Sequence, residues 1–138
     1  MKRPLRPGYF QGTCDQCHHQ RRHYPDFGDY PIVADTGAGH CRLPQATIEP
    51  IAAMYTNVRR NGPAFEVDCN VPDSLFQLGF GDLILNIPLK DFLMPHDANA
   101  KTCEIGAIVA EKAGNSTLIG GAILNHVISI FDHDNKLV

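Results

Sequence analysis

Pro31-Ile32-Val33-Ala34-Asp35-Thr36-Gly37-Ala38-Gly39 is the stretch on which the reading of this chain turns. Its four leading apolar residues stop at an aspartate, a hydroxyl and two glycines. A run of that length bounded by turn formers reads as a buried strand, and the glycines permit the sharp turn after it. Asp35 is thereby set at a strand end. Taken alone, Asp-Thr-Gly fits equally an aspartate that closes a loop after a strand.

Downstream, Ile48, Ile51, Ala52, Tyr55 and Val58 recur at spacings of three and four, the pattern of one helical face packed on a sheet. Proline is tolerated in a helix's first turn but not in its interior, so Pro50 predicts a start near Glu49 or Pro50, with Gly62-Pro63 as the stop. The pattern then turns β. Phe65-Val67-Cys69, Leu75-Gln77 and Leu83-Ile84-Leu85-Ile87 are short runs separated by Pro, Asp and Gly, as in an antiparallel meander. Ile105 to Val109 reads as a further strand. A turn at Gly114-Asn115-Ser116 leads to Thr117-Leu118-Ile119-Gly120-Gly121 and a short helix at Ile123 to His126. Val127 to Phe131 reads as a largely buried strand, with a turn at His133-Asp134-Asn135 and a last strand to Val138. Upstream, residues 1–30 form a loop-rich segment with one strand expected at Tyr9 to Thr13. Residues 31–138 form the main unit.

Composition narrows the function classes. With 138 residues, 43% hydrophobic and 20% charged, one core is expected, and a net charge of -3 supplies no cationic surplus for phosphates or anionic lipid. No nucleic-acid or membrane partner is therefore predicted. The longest apolar run, Leu118 to Phe131, is interrupted by Asn125 and His126 and is too short to cross a bilayer. Near the start, Lys2 to Arg6 is basic, but Pro7, Gly8, Gln11 and Gly12 stand where the apolar core of an export signal belongs, so no signal peptide is read there.

Short strands, few helices, an apolar run into Asp-Thr-Gly and a later Leu-Ile-Gly before a short helix together resemble the pepsin-like aspartic proteases. Gly8-Tyr9-Phe10-Gln11 resembles the segment that opens the family's second lobe, and Ile32 to Gly37 its second catalytic motif. Phe65-Glu-Val-Asp-Cys69, Pro88-Leu-Lys-Asp-Phe92, Thr117 to Leu124 and Phe131-Asp-His-Asp-Asn135 follow in family order. The resemblance implies a mainly β fold: the C-terminal lobe of an acid protease, a closed or partly open barrel with one or two short helices. It also implies a disulfide between Cys69 and Cys103, and a secreted or vacuolar setting, since disulfides persist in oxidising compartments.

The implied activity is aspartic-type endopeptidase chemistry on a peptide or protein substrate, without a cofactor or metal. Two carboxylates share one proton, because like charges a few Å apart do not both ionise. Asp35 is the candidate catalytic carboxylate. Gly37 lets its amide approach that carboxylate, Thr36 by resemblance bonds across to a facing motif, and Ala38 stands where bilobal relatives carry Thr or Ser. Gly39-His40-Cys41 departs further from the family pattern. No second Asp-Thr-Gly or Asp-Ser-Gly occurs; Asp73-Ser74-Leu75 and Asp82-Leu83 do not match. The dyad therefore requires a first lobe or a second copy of the chain. The rival from another class is a non-catalytic, truncated relict or binding module of the same fold.

Five cysteines allow at most two internal disulfides and leave one thiol. Cys14-Asp15-Gln16-Cys17-His18 matches the c-type haem attachment pattern, but that needs a helical chain and a suitably placed distal ligand, and Met94 sits between Leu93 and Pro95. Cys14 and Cys17 with two of His18, His19, His23 and Cys41 would suit tetrahedral zinc, which makes a small zinc-stabilised module the third reading. The second half of that set is irregularly spaced. The preferred reading is a cysteine-containing loop, one of whose thiols pairs with Cys17 or Cys41. Tyr55 and Phe65 are read as core, and His126 and His133 as a helix-end and a turn residue.

Overall fold

Alternation of apolar and polar residues sets the strands, because successive side chains on a strand point to opposite faces. The computed structural model describes residues 9–13, 32–80, 83–110, 117–131 and 134. In chain order the strands begin with β1 (Tyr9–Thr13), β2 (Ile32–Ala34) and β3 (Cys41–Leu43), and helix α1 (Gln45–Ala52) follows. Next come β4 (Arg59–Asn61), β5 (Ala64–Asp68), β6 (Leu75–Phe80) and β7 (Leu83–Pro88), then a 3-10 turn over Leu89–Phe92. β8 (Leu93–Pro95), β9 (Thr102–Ile105), β10 (Ala107–Val109), β11 (Thr117–Ile119) and helix α2 (Gly121–Leu124) complete the described elements. Among the described residues the fold is mainly β, with two short α-helices. Cys14, Cys17, His18, His19, His23, Asp82, the Gly114-Asn115-Ser116 turn, His133 and the expected last strand lie outside the described residues.

Three sheets form, ordered β1-β6-β7, β10-β3-β11-β2 and β4-β5-β9-β8, and the described strands do not close into a barrel. The first and third are antiparallel; the second is mixed, with β10 parallel to β3 and β11 parallel to β2. Phe65 and Val67 of β5, Phe76 and Leu78 of β6, Ile87 of β7 and Ile105 of β9 turn into one core with Leu43, Ile48, Ile51, Leu89 and Phe92. Phe76 and Phe92 meet edge to face at 4.9 Å between ring centres, the offset geometry that aromatic quadrupoles favour. Tyr55 is core as expected, with its hydroxyl donating to the Leu89 carbonyl at 2.9 Å, and burial raises its phenol pKa. No helix among the described residues is long and apolar enough to cross a membrane.

Several expectations are corrected. Helix α1 starts at Gln45, directly after Pro44, whose ψ of 145° makes an extended entry, and Pro50 lies inside it. The missing Pro50 amide falls in the final turn, and burial of Ile48, Ile51 and Ala52 offsets the lost bond. The chain then leaves through tighter bonds, Met54 to Ile51 and Tyr55 to Ala52. Val58 lies beyond the helix and is exposed. Gly62-Pro63 is not a helix stop but the two-residue turn of the β4–β5 hairpin, and Gly62 takes the positive φ of 60° that such a turn requires at its first position. The meander is also interrupted: β5 pairs with β4 and β9, leaving β6 with β1 and β7.

Ile105 to Val109 is not one strand but parts of β9 and β10, which belong to different sheets. Gly106 makes the switch, for a Cβ there would stand 2.6 Å from the Ala122 Cβ and 3.0 Å from the Phe92 ring. β2 is only partly buried, because it forms an edge of its sheet among the described strands and Val33 faces outward. Val127 to Phe131 forms no strand, and Ile128 is 94% and Ile130 75% exposed. Alternating β-branched residues supply strand propensity, but no described strand lies beside them to pair with.

Cys69 and Cys103 form a disulfide across the end of the β5–β9 pair, with Cα atoms 5.1 Å apart. It closes a loop with a sequence separation of 34, and chain-entropy arguments assign such a closure about 3–4 kcal/mol. Urea melts with and without reductant should therefore differ by about that amount, and Cys69→Ser with Cys103→Ser should reproduce the reduced protein's midpoint.

Candidate active site

β2 ends at Ala34 and delivers Asp35 into a tight loop. The Asp35 amide donates to the Ile119 carbonyl at 2.9 Å, extending the parallel β2–β11 pairing by one bond, and the Ala38 amide closes the turn onto the Asp35 carbonyl at 3.3 Å. Gly37 donates its amide to Asp35 Oδ1 at 2.9 Å. A Cβ on Gly37 would press to 3.3 Å from the same oxygen, so glycine suits this approach. Among the described residues nothing else hydrogen-bonds to the Asp35 carboxylate. Asp35 is half-buried and Thr36 and Gly37 are exposed, which leaves the carboxylate on an open side of the loop.

The loop is clamped from beneath by the start of α2. Gly121 donates to the Ala38 carbonyl at 2.7 Å and Ala122 to the Gly39 carbonyl at 3.0 Å. Gly120 makes this possible, because a Cβ there would lie 2.4 Å from the His40 oxygen and 2.6 Å from the Ala38 oxygen. Here two backbones touch, and only a residue without a side chain fits. The Gly120 amide also donates to Cys41 Sγ at 3.3 Å. The sequence reading places Gly120 in the Thr117 to Leu124 motif by resemblance and misses this contact; its one signal is the Gly120-Gly121 pair directly ahead of a helix.

Asp35, Thr36, Gly37 and Ala38 thus share one loop, whereas the Cys69–Cys103 disulfide belongs to the β4-β5-β9-β8 sheet. Among the described residues Cys41 is the one free thiol, and it is fully buried. Burial pushes its pKa from 9.0 up to about 11, against smaller lowering effects from the backbone at Gly120 and Ile123. Cys41 forms no disulfide here and packs its Sγ against the Gly120 amide, while Cys14 and Cys17, the other members of the expected loop pairing and of the zinc set, lie outside the described residues. His40, next to it, sets its Nε2 3.1 Å from Glu104 Oε2, a pairing across the fold that the sequence reading misses.

Residues 3–138 match the family described as eukaryotic aspartyl protease. The chain belongs to that family. The Asp35 loop, the clamp beneath it and the disulfide are accordingly features of an aspartyl protease fold. Among the curated proteins similar to this aspartyl protease chain are barrierpepsin of Saccharomyces cerevisiae and the aspartic-type endopeptidase ctsD of Aspergillus fumigatus. The first is 22% identical over 109 residues, covering 77% of this chain and 18% of that protein. The second is 29% identical over 116 residues, covering 81% of this chain and 24% of that protein. The chain spans about a quarter or less of the length of these relatives.

Replacing Gly120 by alanine should lower stability by about 2–4 kcal/mol in urea melts. The same change should open Cys41, which is fully buried in the unaltered protein and should there resist alkylation under native conditions. The raised Cys41 pKa adds a pH dependence. The unfolded thiol ionises near its ordinary 9.0 while the folded one stays protonated to about 11, so stability should fall as pH rises through that window. Cys41→Ala should remove that part of the alkaline slope.

Proposed function

We propose that this chain is the half of an aspartic endopeptidase that carries the second catalytic aspartate, Asp35, and that it hydrolyses peptide bonds once a facing lobe or a second copy supplies the other carboxylate. The observation that carries the reading is the geometry of Asp35: it stands at a strand end, one oxygen held by the Gly37 amide at 2.9 Å. The rest of the carboxylate is left open on the accessible side of a clamped loop. Family membership and an Asp-Thr-Gly with the ordered motifs around it support the assignment.

In the completed site two carboxylates would share one proton between them. The ionised one takes a proton from a bound water as that water attacks the peptide carbonyl carbon, and the protonated one donates to the carbonyl oxygen. Gly37 fixes the orientation of Asp35 for this exchange. Thr36 is exposed and would bond to a matching loop opposite, while Ala38 offers a methyl group and no side-chain hydrogen bond. Exposed apolar residues favour a protein partner: Val33 stands on β2 just before Asp35, and Ile128, Ile130 and Phe131 form a second exposed apolar stretch. The substrate is an extended peptide. The disulfide favours an oxidising setting, secreted or vacuolar.

The second reading, a non-catalytic binding module of the same fold, is favoured by the single Asp-Thr-Gly in the sequence. Cleavage of a denatured protein across about pH 3–7 separates the two, run with and without a pepstatin-type inhibitor and beside Asp35→Asn. Activity on the acid side that Asp35→Asn and the inhibitor both remove is the expected result for the protein with its partner lobe or as a homodimer. Absence of activity with a partner lobe present would leave the binding module.

A further inference from the structure

The β4-β5-β9-β8 sheet brings together side chains that the protease reading does not use. Its register sets Glu66 of β5 directly opposite Glu104 of β9, and Glu104 opposite Met94 of β8, two residues before His96. Directly opposed residues project from the same face with Cβ atoms about 4.5–5.5 Å apart, and like charges in that position destabilise the pair. One ligand atom each from Glu66, His96 and Glu104 lies within 4.8 Å of the other two. One Glu66 oxygen accepts from Asn61 Nδ2 at 3.0 Å. Arg59 stands opposite Glu66 on β4 but makes no ion pair with it. The group that meets Glu104 is instead the His40 imidazole, with Nε2 3.1 Å from Oε2.

We propose that Glu66, His96 and Glu104 form a zinc site, and that His40 orients Glu104 within it. Imidazole with carboxylates is a ligand set that zinc accepts, and three protein ligands leave a fourth position for water. Calcium seeks six to eight oxygens, which this set does not supply. Ligand atoms around a tetrahedral zinc with bonds of about 2.0–2.1 Å stand roughly 3.3 Å apart. Rotation of the two glutamate side chains and the exposed histidine would bring ligand atoms that now lie within 4.8 Å of one another to that spacing. His40 belongs to the Asp35 loop, so an ion held by Glu104 is coupled to that loop through the His40–Glu104 hydrogen bond. The unusual histidine at this position thereby gains a role that the protease pattern leaves unassigned. The proposal goes beyond peptide hydrolysis and does not depend on it.

The test is calorimetric titration of Zn2+, and separately Ca2+, into the metal-stripped full chain carrying Cys14→Ser and Cys17→Ser, so that the N-terminal thiols do not compete. One zinc per chain is expected. His96→Ala and Glu66→Gln should each weaken it by about ten-fold or more, with His40→Ala weakening it less. Glu66→Gln retains the acceptor for Asn61, and circular dichroism of each variant checks that it has folded. No zinc uptake, uptake unchanged by both His96→Ala and Glu66→Gln, or preference for calcium would overturn the assignment.

Discussion

The contact between Gly120 and the backbone of Ala38 and His40 is the constraint from which the rest of the site follows. Carbonyl oxygens stand where a Cβ would be, at 2.4 and 2.6 Å, so the start of α2 and the Asp35 loop behave as one piece. Two consecutive amides of α2 then donate to two consecutive carbonyls of the loop. Asp35 itself is tied to β11 through Ile119. The backbone of the loop is thus held from both sides, and within it the Gly37 amide orients the Asp35 carboxylate. Gly106 repeats the device, letting α2 and the Phe92 ring close over the switch between two sheets.

Much of this was legible in the sequence where the signal was local. The apolar run into Asp35, the glycine at position 37, the alternation from Phe65 to Ile87 and the strand at Tyr9–Thr13 each depend on residues a few places apart. The pairing of Cys69 with Cys103 came from family resemblance and not from spacing, and the structure contains it. What the sequence hid was long-range. Pro50 is a helix breaker by local rule, yet buried neighbours in a short helix outweigh one missing bond. Ile105 to Val109 reads as one strand because nothing local reveals that Gly106 must fit between Phe92 and Ala122.

Val127 to Phe131 shows the same limit from the other side. Its residues favour a strand, but a strand exists only where a neighbour accepts its hydrogen bonds, and β-propensity expresses packing more than backbone preference. The segment therefore lies exposed among the described elements, with Ile128 and Ile130 outward. Exposed apolar residues there and at Val33 fit the proposal that the Asp35 loop works against a facing lobe. The His40–Glu104 pair was equally hidden, since its partners are 64 positions apart.

The central claim is that the Asp35 loop is held rigid by α2 and β11, and amide hydrogen exchange followed by NMR tests it most directly. The account predicts that the amides of Asp35, Gly121 and Ala122 exchange as slowly as those of Cys41 and Gly106, which are bonded within the core. Exchange of the first three at the rate of an open surface loop, while Cys41 and Gly106 stay protected, would contradict it.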